Sequence, residues 1–241
     1  MTFSFNKAAL KIRLTSQYHL GSGFGLARII DALLKVDGDG VPVIPGSTVS
    51  GIAGQGLYDL LNYSCFDSEW SRVCRYHSGD GAEPRLPCGV LPQRSADPCL
   101  LCYFLGSTAD DGIVNWMDFQ CVTDPDLLRP LLRGGQYSRE ERKQYIRPYA
   151  SHKQDGRTGT VKGKHFFVQE EGAALTFEGE ITFKSSAPEE RIWVLAAALA
   201  NVRAVGRRKS RGKGECTITG IFVDENGSCM DMKTLIEGHL K

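Results

Sequence analysis

The sequence predicts an α+β fold, and the evidence is the periodicity of four segments and the order in which they follow one another. Two segments, 8–20 and 173–183, alternate apolar and polar residues in the manner of half-buried strands. Two others, 47–61 and 188–203, repeat apolar residues at helical spacing. Further strands are predicted at 112–122 and 215–223. The order is then strand, helix, strand, a long insertion without apolar periodicity, strand, helix, strand. This βαββαβ order is typical of a ferredoxin-like or RNA-recognition-motif (RRM-like) fold with large insertions.

The first strand has one apolar face and one cationic face. Its apolar side carries Leu10, Ile12, Leu14, Tyr18 and Leu20. Its polar side carries Lys11, Arg13, Thr15, Gln17 and His19. Because successive side chains of a strand point to opposite faces, we expect the sheet to bury the first set and to present a basic face to solvent or to a ligand.

Both helices have recognisable starts. A proline stops extended structure before the first helix, and Ser47 or Thr48 can cap it. Three glycines each lower the propensity of this helix by roughly 1 kcal/mol relative to alanine. We therefore expect a face of small residues pressed against the sheet or a partner. Pro188 opens the second helix, which we expect to carry Arg203 in its last turn.

Composition limits the class of protein. The 241 residues are 41% hydrophobic and carry a formal charge of +1, which allows a large core and excludes a uniformly basic coat for nucleic acid. Any electrostatic function must therefore come from local clusters of charge. The N-terminal stretch lacks the apolar region of a secretory signal, and no apolar run approaches the roughly 20 residues of a membrane helix. We expect a cytoplasmic protein without a membrane partner.

Cations are clustered in two places. The segment 205–214, VGRRKSRGKG, intersperses five cations with three glycines. It is not a nucleotide-binding P-loop, because five residues and not four separate Gly206 from Gly212, and Gly214 follows Lys213 where a P-loop has serine or threonine. It also connects a helix to a strand, whereas a P-loop connects a strand to a helix. The segment 129–164 has ten arginines and lysines against three acids, and no sustained apolar period.

Several cations on a flexible backbone suit a chain of phosphates better than a single phosphate. We therefore predict binding of extended nucleic acid, with RNA favoured by the fold type. The candidate RNA contacts are Arg147, Arg207, Arg208, Lys209, Arg211 and Lys213, together with His19 of the first strand. A solvated surface turn is the alternative interpretation of the glycine-rich segment.

Cysteines are concentrated in one insertion. Five of the eight lie between Cys65 and Cys102, and clustered thiols of a cytosolic protein are more often metal ligands than disulfides. Cys99 and Cys102 form a C-x-x-C pair whose spacing suits two thiolates on one tetrahedral zinc ion. We predict a structural zinc knuckle held by Cys74, Cys88, Cys99 and Cys102, with Cys65 and His77 as competing ligands. Buried thiols and a redox pair are the alternatives.

Four motifs, taken in order, resemble one family. They are similar to a first strand with its glycine turn (IRLTSQYHLGSGFG), a proline-glycine-serine helix entry (VPVIPGSTVSGIAG), the segment before a second strand (CYFLGS) and a C-terminal glycine-rich loop (GRRKSRGKGECTI). Together they resemble the RAMP superfamily of CRISPR proteins, specifically the crRNA-binding backbone subunit of type III effector complexes. The likeness covers most of the chain. The cysteine insertion resembles only the zinc-knuckle-bearing variants, as in type III-D or III-E.

The resemblance implies a single RAMP domain over 1–241, whose ferredoxin-like or RRM-like part serves as a palm. A zinc knuckle would span 63–106, a thumb-like hairpin 129–168 and the glycine-rich RNA-binding loop 205–214. The implied partners are crRNA, target RNA, further copies of the chain or related RAMP subunits, and other subunits of the effector complex. At the start of the first helix, phosphate binding or simple capping would fall to Ser47, Thr48 and Ser50.

The resemblance also implies a catalytic residue. In active members an aspartate between the first strand and the first helix supports metal-dependent cleavage of target RNA, and Asp31 matches that position. Its carboxylate would hold Mg²⁺ or Mn²⁺ near the scissile phosphate while the 2′-hydroxyl of the RNA attacks. Asp37 and Asp39 fit turn formers better. Two alternatives stay open: an inactive crRNA-binding scaffold, and a RAMP endoribonuclease that processes precursor crRNA.

Overall fold

A computed structural model describes residues 3–26, 29–63, 98–107, 111–123, 144–154, 157 and 161–240. The strands are β1 (Ser4–Leu14), β2 (Val43–Ile44), β3 (Val114–Trp116), β4 (Phe119–Cys121), β5 (Ile146–Gln154), β6 (Val161–Gly172), β7 (Thr176–Pro188), β8 (Cys216–Asp224) and β9 (Cys229–Asp231). The α-helices are α1 (Gly46–Tyr63), α2 (Leu100–Leu105), α3 (Glu189–Ala200) and α4 (Met232–His239). A short 3₁₀ turn spans Lys209–Arg211.

The main sheet is antiparallel, and its strands follow the order β2, β4, β7, β1, β8, β9, with β3 also paired to β7. α1 and α3 pack against one another on one side of this sheet. The predicted α+β class is therefore confirmed. β1 lies between β7 and β8, so the first strand of the chain pairs with two strands that follow it by more than 150 residues.

The predicted alternation holds within the strands and fails just beyond β1. Leu10, Ile12 and Leu14 are buried in β1, as expected. The expected exposure of His19 is wrong, because Tyr18 and His19 are both only 1% exposed. β1 ends at Leu14 and the chain bends before Tyr18. A period of two does not continue through a bend, so the strand pattern misplaced His19.

The predicted basic face of the sheet is largely neutralised. Lys7 and Lys11 lie 3.2 and 2.7 Å from the carboxylates of Glu180 and Glu178 on the neighbouring β7. Exposed pairs of this kind add little to stability, but they cancel the charge of the face. No exposed aromatic side chain, the usual stacking platform of an RRM sheet, lies on the described strands β1, β4, β7 or β8.

α1 confirms the predicted helix and its face of small residues. A methyl group at Gly54 would lie 2.7 Å from Leu105 of α2. One at Gly56 would lie 2.7 Å from the carbonyl oxygen of Ala198 on α3. The two glycines thus let neighbouring helices approach closely, which compensates for their low helix propensity. Within the described residues, none of the helices has the length and apolarity to cross a bilayer.

Two details of the predicted elements are wrong: the end of the second helix and the continuity of the second strand. α3 ends at Ala200, and its cap residue Asn201 donates its N–H to carbonyls of the last turn, so Arg203 lies beyond the helix. The predicted second strand is divided into β3 and β4, both paired with β7. The interruption lies at 117–118, where the chain turns beside the start of α1.

The β5–β6 hairpin forms a two-stranded sheet of its own. It overlaps the thumb-like hairpin expected over 129–168, and its second strand ends at Gly172. Residues 124–143, which precede it, lie outside the described residues. So do residues 64–97, which contain most of the expected zinc knuckle, including Cys65, Cys74, His77 and Cys88.

Candidate nucleic-acid interface at the base of the hairpin

The base of the hairpin, residues 146–151 and 167–172, is joined to the main sheet along one edge of β6. Gly172 donates its N–H to the Tyr18 carbonyl at 2.8 Å, and Tyr18 donates to the Gly172 carbonyl at 3.1 Å. The segment 31–34 continues along the same edge, in a parallel bridge with β6. The loop that precedes α1 is therefore held against the hairpin.

Asp31 is one of the residues that attach this segment to the hairpin. Its N–H donates to the Val168 carbonyl at 2.8 Å, and its Oδ2 accepts the Val168 N–H at 2.7 Å. Nearby, the Glu170 carboxylate accepts the N–H of Leu34 at 3.1 Å. The aspartate that the sequence singled out thus has a defined structural role at the hairpin base.

The Asp31 side chain is nevertheless exposed, so one carboxylate oxygen can still face a ligand. In the described residues, no group of three or more His, Cys, Asp or Glu side chains is arranged to hold a metal ion. Mg²⁺ and Mn²⁺ accept carboxylate, phosphate and water oxygens. Asp31 therefore fits a site in which the protein supplies one ligand and RNA and water supply the others.

The glycine loop, residues 205–214, is hydrogen-bonded to its surroundings at both ends. Val205 donates its N–H to the Gly214 carbonyl at 2.8 Å, and Arg207 donates to the His19 carbonyl at 3.1 Å. Gly206 and Gly214 have φ angles of +84° and +73°. A side chain at either position would collide with a neighbouring carbonyl, so these glycines allow a close approach of two backbones.

The five cations of this loop fall into two groups. Arg208 donates to Ser151 Oγ at 2.7 Å and lies 5.0 Å from the Tyr149 ring, and Lys213 lies 2.9 Å from Glu171 Oε2. These two side chains are directed to the hairpin. The exposed cations, for which the described part of the chain shows no ion pair, are Arg207, Lys209 and Arg211.

The glycine loop and the Asp31 segment both contact the hairpin base. Arg147, Tyr149 and Ser151 alternate along β5, so they share the face that meets the glycine loop. Ser151 and Val168 lie on adjacent rungs of the β5–β6 ladder. Two strand spacings, about 10 Å, therefore separate the Arg208 contact from the backbone of Asp31.

A buried polar cluster supports the same base. His19 Nδ1 lies 2.6 Å from the Glu170 carbonyl, which makes Nδ1–H the donor and leaves Nε2 buried without a partner among the described residues. Burial lowers the pKa of His19, the carbonyl of Glu170 opposes that change, and the Arg207 charge adds to it. Gln169, Glu170 and Glu171 are all buried. Burial of the two glutamates could not be foreseen from the sequence, in which the only signal is an acidic pair after a basic segment.

A model of the RAMP superfamily matches residues 11–217. The chain belongs to the RAMP superfamily. No curated protein matches this RAMP chain in sequence. Among solved structures, it is similar to a chain in the cryo-EM structure of the Type III-B Cmr-beta bound to cognate target RNA, with 11% identity and a TM-score of 0.56. That likeness covers 97% of this chain and 100% of the other, and it shows a shared fold.

The start of α1 lies apart from the hairpin base in this RAMP chain. Gly46 is in contact with the Trp116 carbonyl, and Trp116 is paired with Ile181 of β7. The glycine loop enters β8 opposite Leu14, which bonds to Leu175. Leu175 and Ile181 are six residues apart in extended chain, so about 20 Å separates the start of α1 from the place where the glycine loop enters β8. This distance places the predicted phosphate contacts Ser47, Thr48 and Ser50 outside the hairpin-base cluster.

The carboxylate of Asp118 lies at the N-terminus of α1. The Gly46 N–H donates to Asp118 Oδ1 at 2.8 Å, and the Thr48 N–H donates to the Pro45 carbonyl at 2.9 Å. α1 therefore begins before Ser47, and the expected capping by Ser47 or Thr48 is wrong. Ser47 itself is exposed.

The cysteines of the RAMP chain occupy different environments. Cys99 and Cys102 are buried at the start of α2, where Cys99 Sγ accepts the Cys102 N–H at 3.5 Å. Burial raises the pKa of the Cys216 thiol to about 11, as expected for an inert thiol. Cys229, by contrast, lies exposed on the edge strand β9.

Proposed function

We propose that this RAMP chain is an RNA-binding backbone subunit of a type III CRISPR ribonucleoprotein. The observation that carries the proposal is the hairpin base, where exposed cations and an exposed carboxylate are held on two sides of one protruding element. Family membership supports it, as does the fold shared with a chain of a type III-B complex bound to target RNA. The partners would be crRNA, target RNA, further RAMP subunits and other subunits of the effector complex.

RNA would be held through its phosphates. Arg207, Lys209 and Arg211 carry charge on a loop whose backbone is hydrogen-bonded at both ends, so the loop backbone needs little further ordering when they contact a ligand. Arg147 extends this charge onto the hairpin. Such contacts bind the sugar-phosphate chain without reading its sequence. The hairpin, acting as a thumb, would bend the RNA where it crosses the base.

Cleavage of the target RNA is assigned to Asp31 in this proposal. Bound Mg²⁺ or Mn²⁺ would supply Lewis acidity at the scissile phosphate. The protein would contribute position: Asp31 is fixed by two hydrogen bonds to Val168, and the hairpin base orients the RNA beside it. In-line attack by a 2′-hydroxyl needs a bent backbone, which the adjacent hairpin would impose.

A scaffold without nuclease activity is the second candidate. The observation that favours it is the hydrogen bond from Val168 to Asp31 Oδ2, because it gives the carboxylate a purely structural use. Both candidates share the RNA interface, and only the chemistry at Asp31 separates them.

A structural zinc ion held by Cys74, Cys88, Cys99 and Cys102 is also proposed. Support comes from the Cys99–Cys102 turn, which places two buried thiols and an amide donor together. Zinc would stabilise an insertion in which the stretches between the cysteines, 75–87 and 89–98, have few apolar residues of their own.

The decisive experiment is to purify the chain together with the products of its neighbouring genes and to sequence the bound nucleic acid. We expect a repeat-derived guide RNA of uniform length. Heterogeneous RNA would reduce the proposal to a general RNA-binding domain, and the absence of RNA from an intact complex would refute it.

A further inference from the structure

Lys213, the last cation of the glycine loop, lies inside a buried polar contact. Its ammonium group is 2.9 Å from Glu171 Oε2 and 2.7 Å from Gln17 Oε1. The Glu171 side chain is only 2% exposed and that of Lys213 only 22%. Gln169 donates to the second carboxylate oxygen of Glu171 at 3.1 Å. The Glu171 carboxylate is thus bonded through both oxygens.

This contact joins three segments that are distant in sequence. Gln17 belongs to the stretch after β1, Glu171 to the end of β6, and Lys213 to the glycine loop. Backbone hydrogen bonds flank the contact, since Gly214 donates to the Gln17 carbonyl at 2.8 Å. The Tyr149 ring of β5 lies 5.2 Å from the same ammonium group. The charge of Lys213 is therefore used where the palm, the hairpin and the loop meet.

We propose that Lys213 and Glu171 form an ionic lock that sets the position of the glycine loop against the hairpin. Lys213 is then a positioning residue and not a phosphate contact. The inference rests on the proposed function, because the lock matters for RNA only if the exposed cations of the loop bind it. Loss of either partner leaves the other charge buried without its counterion, a costly state that the loop and hairpin relieve by moving apart.

The two possible roles of Lys213 predict opposite effects of removing Glu171. If Lys213 binds phosphate, Glu171→Gln removes a competing anion, and RNA binding tightens. If Lys213 and Glu171 form a lock, the same variant displaces the loop, and RNA binding weakens. The substitution is nearly isosteric, so it changes charge with little change in packing.

The test uses the complete ribonucleoprotein with Glu171→Gln, Lys213→Met and the double variant. Lys209→Met, at an exposed cation of the same loop, represents a phosphate contact, and Lys233→Met on α4 is a neutral control. Target-RNA affinity is measured across a range of salt concentrations. Amide hydrogen exchange is followed in the peptides that contain Gly172 and Gly214, whose N–H groups bond to Tyr18 and Gln17.

We expect Glu171→Gln and Lys213→Met each to weaken RNA binding roughly tenfold, with the double variant no worse than Lys213→Met because no charge is then left unpaired. Exchange at Gly172 and Gly214 accelerates in both single variants. Lys209→Met instead lowers the slope of log affinity against log salt by about one, and leaves exchange unchanged. Lys233→Met changes neither.

Opposite changes in RNA affinity for Glu171→Gln and Lys213→Met would overturn the proposal. So would weaker RNA binding by Lys213→Met with unchanged exchange at Gly172 and Gly214, which is the behaviour expected of a phosphate contact such as Lys209. If the wild-type complex binds no RNA, the proposed function fails while the lock is still decided by exchange. Faster exchange in both single variants then supports it, and unchanged exchange refutes it.

Discussion

Tyr18 and Gly172 exchange two backbone hydrogen bonds, and the Tyr18 ring covers the side of Gly172 on which a side chain would project. A methyl group at this position would collide with the ring. Because the same pair attaches β6 to the stretch after β1, the collision would fall where the hairpin joins the main sheet. Gly172 is therefore required by packing at the junction, independently of any turn.

Gly172→Ala is expected to lower the free energy of unfolding by about 1–3 kcal/mol, the usual cost of overpacking a tight site. Thermal or denaturant unfolding measures the change. Gly51→Ala is the matched control, since a methyl group there meets no neighbouring atom and the position is helical. It should stabilise the chain by about 1 kcal/mol. Equal effects of the two variants would contradict this account of the junction.

Asp31→Asn and Asp31→Ala separate the structural and chemical roles of Asp31. The asparagine amide oxygen can still accept the Val168 N–H, whereas alanine leaves that donor unpaired at a cost of about 1 kcal/mol. If the carboxylate serves cleavage, both variants should lose roughly 100-fold or more of the cleavage rate at saturating target RNA with Mg²⁺ or Mn²⁺. Only the alanine variant should also lose stability. Full cleavage by Asp31→Asn would leave the scaffold function.

Replacing Arg207, Lys209 and Arg211 with glutamine should weaken RNA binding to a similar degree for unrelated sequences. Each lost phosphate contact lowers the slope of log affinity against log salt by about one, so the triple variant should lose up to about three. Filter binding or fluorescence anisotropy across salt concentrations gives the slope. A loss confined to one RNA sequence would show that these residues contact bases instead.

His19 should make stability dependent on pH. Burial lowers its pKa below the ordinary value of 6.5, so on acidification the unfolded chain takes up a proton before the folded chain does. The free energy of unfolding is therefore fully retained above about pH 6.5 and falls as the pH drops towards the folded-state pKa of His19. The total loss is about 1.4 kcal/mol for each pH unit by which the folded-state pKa lies below the unfolded-state pKa.

His19→Gln tests this dependence, because the amide can still donate to the Glu170 carbonyl but cannot titrate. Urea titrations at a series of pH values should show a shallower loss of stability on acidification than in the wild type. At about pH 8 the histidine and glutamine side chains are both neutral, so the difference in stability measured there is the reference for the comparison at lower pH. Parallel pH profiles would exclude His19 as the titrating group.

Zinc should be retained by the purified chain, at about one ion per molecule if the four-cysteine site forms. Cys99→Ser with Cys102→Ser should lower the zinc content and the unfolding temperature together, since binding energy of a structural metal is folding energy. Elemental analysis and calorimetry measure both. Cys229→Ser, at an exposed thiol on another edge of the fold, should change neither. A zinc-free folded wild type would eliminate the site.

Periodicity in the sequence determined the main elements and the class of fold. β1, β7 and β8 show an alternation of apolar and polar residues, and α1 and α3 show helical spacing of apolar residues. Both patterns are local, so they can be recognised without knowing which elements pack together. The turn-forming role of Asp37 was also predictable, and its carboxylate accepts the backbone N–H groups of Asp39 and Val41. The clusters of cations could likewise be located by counting.

Only the tertiary structure decided which of those cations face solvent. Lys7 and Lys11 are neutralised by acids from a strand more than 160 residues away, and Lys213 is paired with Glu171 across the hairpin junction. His19 is buried because the chain bends after Leu14. Such outcomes depend on long-range pairing, which no local pattern encodes. The sequence determined where charge occurs, and the fold determined, through burial and ion pairing, which of that charge is left for a ligand.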